Sequence, residues 1–242
     1  MTLELSQLSE DVRTMGELIA KRHQTTIDLV KLARRWLVDH ADDGAPLRRA
    51  ARNAYKTAIP TEELLDAVYP LPRLPERFTV AAADGSQIQP DRHGAALYHL
   101  INVGSLVYRH GSGETPQAKS ESMLGYTDDD LYEHGMPVAG NLLDVRRDLA
   151  ELTCLADACT DEQSGRTVAL VDGSIVLWVL KDLPGDARRT KIAAYLEQLE
   201  RIRRAGSVVG GFISRPGYDE VNRLLYLASL NGEVKKVDEQ PN

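Results

Sequence analysis

The tripeptide Asp-Gly-Ser occurs twice in this chain, each time directly after a short apolar run. Phe78-Thr79-Val80-Ala81-Ala82-Ala83 leads into Asp84-Gly85-Ser86, and Thr167-Val168-Ala169-Leu170-Val171 leads into Asp172-Gly173-Ser174. An apolar run ending in Asp-Gly reads as a buried strand with a carboxylate at its end and a sharp exit. A single copy reads more readily as a turn, because Asp accepts local amide bonds and Gly supplies positive φ; two copies, each after an apolar run and each followed by Ser, bring the two readings level. Two such strands side by side would bring two carboxylates to one sheet edge. Close carboxylates repel unless they share a cation, and a hard divalent ion with oxygen ligands meets that need. Sites of this kind activate water and stabilise the departing oxygen in phosphodiester hydrolysis.

A third carboxylate is expected from the helical stripe that precedes the second strand. Leu142, Val145, Leu149, Leu152, Ala156 and Cys159 recur at helical spacing, and Asp144, Asp148 and Glu151 share a face beside them. By helical angle Asp148 lies nearer the buried edge than Glu151. A solvated acidic face is the other reading of such a row.

The elements that must hold these residues follow from period and punctuation. Residues 3–40 read as one long helix with an apolar stripe (Leu8, Val12, Met15, Ile19, Leu29, Ala33, Trp36), suited to packing or self-association. Residues 45–58 and 61–68 read as two more helices. Tyr69-Pro70-Leu71-Pro72-Arg73-Leu74-Pro75 then ends the helical arm, because proline removes amide donors and disfavours helix before it.

Beyond it, strands are expected into Asp84, over 95–103 and 105–110 (split by Gly104), and over 117–124. The stripe from Leu142, the strand into Asp172, a helix over 186–205 (Asp186 as N-cap, Gly206 as stop), a buried strand over 207–213 and a helix over 218–230 complete the order. Three antiparallel strands followed by helix, strand, helix, strand and helix is the order of an α/β ribonuclease-H-like core. The expected organisation is a helical arm over 1–75, that core over 76–232 and a hydrophilic tail over 233–242.

Bulk properties narrow the class. With 242 residues, 43% of them hydrophobic, the chain can bury one substantial core. A net charge of -7 argues against coating nucleic acid by charge alone, but not against a nuclease that holds metal with carboxylates. No apolar stretch is long enough to span a bilayer, and the start Met1-Thr2-Leu3-Glu4-Leu5 is unlike a signal peptide. The two cysteines, Cys154 and Cys159, fit no zinc spacing and read as buried free thiols. The expected location is cytoplasmic, with no membrane partner. Arg188, Arg189 and Lys191 open one helix and Arg201, Arg203 and Arg204 close it; Arg146, Arg147 and Arg215 lie nearer the proposed site. Such groups suit phosphate contacts, and those at a helix C-terminus equally suit its dipole.

Several of these segments together resemble the NurA family of DNA-end-processing nucleases. They are Asp84-Gly85-Ser86-Gln87-Ile88, Pro90-Asp91-Arg92-His93, Arg147-Asp148-Leu149-Ala150-Glu151-Leu152, Val171-Asp172-Gly173-Ser174 and Val209-Gly210-Gly211-Phe212-Ile213-Ser214-Arg215-Pro216. The resemblance runs in order over roughly residues 78–230. It implies a manganese-dependent (or magnesium-dependent) 5′-to-3′ exonuclease and single-strand DNA endonuclease. It also implies a homodimer that works with the HerA hexameric ATPase in double-strand-break end resection. Asp84, Glu151 and Asp172 match the family's metal and catalytic carboxylates; the family, not periodicity, selects Glu151 over Asp148. Ser86, Gln87, His93, Arg147, Ser174 and Arg215 become candidate substrate contacts. Family members continue past the strand matching 208–213, and that later part carries a tyrosine and a histidine near the metal, for which this sequence has no counterpart. The second expectation is therefore a non-catalytic assembly or DNA-binding subunit. A third is another ribonuclease-H-like enzyme acting on RNA or a transposon end.

Overall fold

The computed structural model of the chain describes residues 8–162, 166–214 and 217–234. In chain order its helices are α1 (Ser9–Asp39), α2 (Gly44–Ala51), α3 (Asp128–Leu131), α4 (Asn141–Asp161), α5 (Gly185–Arg204) and α6 (Glu220–Ser229). Its strands are β1 (Phe78–Ile88), β2 (His99–His110), β3 (Gln117–Gly125), β4 (Tyr132–Glu133), β5 (Met136–Pro137), β6 (Thr167–Asp172) and β7 (Val208–Phe212). The chain forms two compact units, Met1–Pro72 with Gly217–Asn242, and Arg73–Pro216. No described helix is long and apolar enough to cross a membrane.

In the first unit, Leu47 and Ala51 of α2 pack on Leu224, Leu227 and Ala228 of α6. Trp36 near the end of α1 lies 6.5 Å from the Tyr226 ring. The last helix of the sequence thus packs with the first two. The helix expected over 61–68 is absent; bends and turns stand there instead. A segment of this length between Pro60 and Pro70 cannot repay helix nucleation by itself. Its groups bond outside it: the Leu65 amide donates to Ala41 O, and Arg48 donates to the carbonyl of Thr61 and to that of Pro60 just before it. α2 also stops sooner than expected, at Ala51, and Lys56 takes a positive φ of 43°.

The second unit is built on a five-stranded sheet of order β3-β2-β1-β6-β7. β1, β2 and β3 are antiparallel, whereas β6 runs parallel to β1 and β7 parallel to β6. This is the ribonuclease-H-like arrangement expected from element order. Gly104 does not split β2; it stays in the ladder between Asp84 and Ser120. β7 is an edge strand with Val208 and Phe212 exposed, not the buried strand expected, because among the described residues only β6 pairs with it. α5 begins at Gly185 with Pro184 in the cap position, so Asp186 lies inside the first turn; Gly206 ends the helix with φ 75° as expected.

Alternation along β1 buries Thr79, Ala81 and Ala83 on one face. Those small residues, with Ala169 of β6, let α4 and α5 press Leu152, Leu155, Ala156, Tyr195 and Ile202 onto the sheet. Each large apolar side chain buried there is worth roughly 1.5–3 kcal/mol. A second cluster joins Ile101 and Val103 of β2 to Leu142, Leu143 and Val145 of α4 and to Leu180 and Leu183. Cys159 is buried and Cys154 half-buried on α4, both as free thiols.

Candidate functional site

The two Asp-Gly-Ser elements meet through strand pairing. β1 and β6 run parallel with Ala83 opposite Val171, so Asp84 and Asp172 follow at neighbouring positions. Alternation sends both toward the sheet face opposite α4. There they line one cavity with Ser86, Asn102, Lys119 and Phe212. The expected sharp exit is present at only one of them. β6 ends at Asp172 and Gly173 turns away with φ 85°, whereas β1 continues through Asp84 to Ile88, with Gly85 opposite Val103. The antiparallel ladder to β2 carries β1 onward, so Asp84 is a mid-strand residue.

On the other face, α4 rests directly on Gly85. A methyl group at that position would fall 2.6 Å from Glu151 Oε1 and 3.0 Å from both Glu151 Cγ and Arg147 Cγ. Arg147 Nε lies 3.0 Å from Glu151 Oε1, and its Nη2 donates to Asp148 Oδ1 at 2.9 Å. Burial pushes the Glu151 carboxyl up to about 7; Asp148 and Asp84 push the same way, and Arg147 opposes them. Burial also raises Asp148, again against the pull of Arg147. Glu151, Asp148, Arg147, Asp172, Ser174 and Tyr195 line a cavity of about 290 Å³. Asp172 lines both this cavity and the one that Asp84 opens into.

The donor set suits a hard divalent cation: carboxylate oxygens, one of them on a carboxyl raised chiefly by burial. Assembly is incomplete, however. Among the described residues no three His, Cys, Asp or Glu side chains are grouped closely enough to hold a metal ion. Glu151 is turned to Arg147, so a cation shared with Asp172 requires that carboxylate to exchange its partner.

The remaining sequence candidates divide. Ser86 is exposed on β1 and lines the Asp84 cavity. Ser174 Oγ accepts the Val176 amide and stands at the Glu151 cavity. Gln87 points to α4, where its Nε2 donates to Asp144 and its Oε1 is buried with no partner among the described residues. His93 sits in an exposed loop whose amide is accepted by Asp91, and it lines neither cavity. Arg215 lies outside the described residues. Most other basic candidates are already paired: Arg146 and Lys191 with Glu133, Arg189 with Asp186, Arg201 with Asp157, Arg203 and Arg204 with Glu200. Burial works against the Glu133 carboxylate, but Arg146 and Lys191 prevail and hold it below its usual range.

Two residues near the carboxylates were not marked by sequence reasoning. Tyr195 on α5 reads as one more apolar stripe position, yet its hydroxyl donates to Ile175 O at 3.0 Å and so ties down the turn after Asp172. Trp178 lines the Glu151 cavity from a short 3-10 turn, Trp178–Asp182. The only signal for it was an aromatic a few residues beyond the second Asp-Gly-Ser.

Several solved structures align with this chain at low identity. The NurA nuclease from Sulfolobus solfataricus aligns over 86% of this chain and 66% of its own, at 10% identity and a TM-score of 0.42. A NurA bound to dAMP and manganese aligns over 78% and 42%, at 13% identity and 0.32. The N-terminal RNase H domain of a Mycobacterium tuberculosis protein, fused to maltose-binding protein, aligns over 64% and 98%, at 13% identity and 0.30. The chain thus spans 66% and 42% of the lengths of these two NurA proteins. Among curated proteins none matches. The sequence model of the NurA domain matches residues 78–226, more than half of the chain, and the protein belongs to the NurA family.

Proposed function

We propose that this protein is a divalent-metal-dependent DNA nuclease. The observation that carries the reading is the parallel register of β1 and β6, which makes Asp84 and Asp172 neighbours, with Glu151 of α4 packed on Gly85, the residue after Asp84. Asp84, Glu151 and Asp172 would hold the ion, manganese or magnesium. The ion would supply charge stabilisation at the scissile phosphate and an activated water. The chain's own residues do the rest. Arg147 keeps Glu151 turned aside and partly neutralised until a cation competes for it, and Tyr195 fixes the turn that follows Asp172. Ser86 and Ser174 offer hydroxyls beside the carboxylates; for Gln87, His93 and Arg215 a substrate contact rests on the family resemblance alone, and Gln87 and His93 line neither cavity. The family membership supports 5′-to-3′ exonuclease and single-strand endonuclease activity in double-strand-break end resection. It equally supports a homodimer, a HerA-type ATPase partner and a cytoplasmic location.

A second reading, a DNA-binding or assembly subunit without turnover, is favoured by one observation: no carboxylate trio is grouped for metal among the described residues. Labelled single-stranded DNA, duplex DNA and RNA incubated side by side with manganese, then with EDTA, separate the two. DNA cleavage that EDTA abolishes and manganese restores supports the nuclease. Binding without metal-dependent cleavage supports the subunit, and cleavage confined to RNA overturns both.

A further inference from the structure

The 3-10 turn after the second Asp-Gly-Ser has two faces. In a 3-10 helix side chains three apart eclipse. Leu177, Leu180 and Leu183 form one such column, packed into the core, with Leu180 and Leu183 buried. Trp178 and Lys181 form the next column, and it faces solvent: Trp178 is 62% exposed and Lys181 is exposed. The leucine column explains the packing of the turn without the tryptophan. A scattered exposed apolar residue needs no explanation, but this one borders the cavity of Glu151, Asp172 and Ser174. The segment leading into the turn is tied down, since Tyr195 donates to Ile175 O and the Trp178 amide donates to Val176 O. Lys181 makes no ion pair among the described residues, unlike most of the basic residues around it.

An aromatic face and a cation one step along, both fixed by a buried leucine column, match the parts of one nucleotide. A base has a π-face and its phosphate a charge, and unpaired bases stack on exposed aromatics whatever their identity. We propose that Trp178 and Lys181 form a one-nucleotide platform that takes the base and phosphate of an unpaired nucleotide next to the carboxylates, so that this site selects single strands over duplex. The inference rests on the nucleic-acid reading of the site. A paired base keeps its faces inside the duplex stack and offers the indole nothing.

The chain has two tryptophans, so Trp36→Phe leaves Trp178 as the sole indole reporter in the full-length protein. Titrating that variant, free of divalent metal, with an oligothymidylate of roughly twelve nucleotides is expected to quench its fluorescence saturably. Trp178→Ala is expected to weaken binding of the labelled oligothymidylate about tenfold and Trp178→Phe much less, with binding to the annealed duplex unchanged. Lys181→Gln is expected to lower the slope of log affinity against log salt by about one phosphate contact. Saturable binding without quenching, no binding to the single strand, or wild-type affinity in Trp178→Ala each overturns the platform. The two readings fail separately. Quenching in a protein that never cleaves DNA leaves the platform standing without the nuclease, and cleavage with an indifferent Trp178→Ala does the reverse.

Discussion

The same tripeptide is used in two ways within one sheet. At Asp84-Gly85-Ser86 the backbone stays extended, and what glycine provides is the absence of a side chain under α4. At Asp172-Gly173-Ser174 the strand stops, and what glycine provides is a φ of 85°, with open space where a Cβ would be. One glycine answers a tertiary demand for clearance and the other a local demand for backbone freedom. Identical residues after similar apolar runs do not determine the backbone; the neighbours do. Between β2 and α4 the first copy is held in the ladder, and at the end of a short parallel strand the second is released.

The largest expected effect treats the two copies as equals. Asp84→Asn and Asp172→Asn should each lower manganese-dependent DNA cleavage by roughly a hundredfold or more, because the charge stabilisation given by a bound cation is worth several kcal/mol. Circular dichroism should show both variants folded. Near wild-type cleavage in either one removes that aspartate from the metal site. The glycines should then part company. Gly85→Ala forces a methyl group against Glu151 and Arg147, an overpacking that costs about 1–3 kcal/mol. The penalty should shrink in a Glu151→Ala background, because the closest of the crowded atoms are gone and only Arg147 Cγ is left. A double-mutant cycle by urea denaturation with no coupling between positions 85 and 151 would show that clearance is not what Gly85 supplies.

The crowded side of the comparison also titrates. Glu151 is raised from 4.5 to about 7, chiefly by burial. Between those values the folded protein keeps a proton that the unfolded chain has released, so stability falls as pH rises through the window. Asp148, raised by the same cause, adds to the slope. With part of the carboxyl still solvated, the loss attributable to Glu151 between pH 4 and pH 8 is about 1–2 kcal/mol. Glu151→Gln should therefore flatten the metal-free stability profile and gain stability over the parent above pH 7. Manganese at pH 8 should restore stability to the parent and not to the variant. Parallel pH profiles for the two proteins would mean that Glu151 is not the titrating group.

How far the sequence could be read follows from the same contrast. β6 and the α4 stripe were legible because period-two and period-3.6 burial leave their marks within one segment. The pairing of Asp84 with Asp172 was legible through element order, since few topologies accept three antiparallel strands followed by two crossovers. Gly85 was misread as a turn because its reason, the nearness of Glu151, lies far along the chain. The 61–68 helix was misread because its residues favour helix while Arg48 bonds the Thr61 carbonyl and Ala41 the Leu65 amide. Trp178 left no periodic mark, as a 3-10 turn has no period long enough to notice. The selection of Glu151 over Asp148 came from family resemblance, and the structure sets both at one cavity.

The smallest expected effect isolates the second glycine. Gly173→Ala meets no atom within 4 Å, so its cost is the backbone alone. A residue with a Cβ held at positive φ is strained by about 1 kcal/mol. Asn tolerates that region better than Ala, so Gly173→Asn should cost less than Gly173→Ala. At position 85 the order should reverse, because the larger side chain meets α4 sooner. Four variants measured by thermal or urea unfolding test this crossing. Should Asn be worse than Ala at both positions, bulk governs both sites, and Gly173 faces a neighbour in solution that its open surroundings do not suggest. Should Asn be better at both, Gly85 shares the turn-like demand of its twin, and the extended strand through Asp84 is wrong.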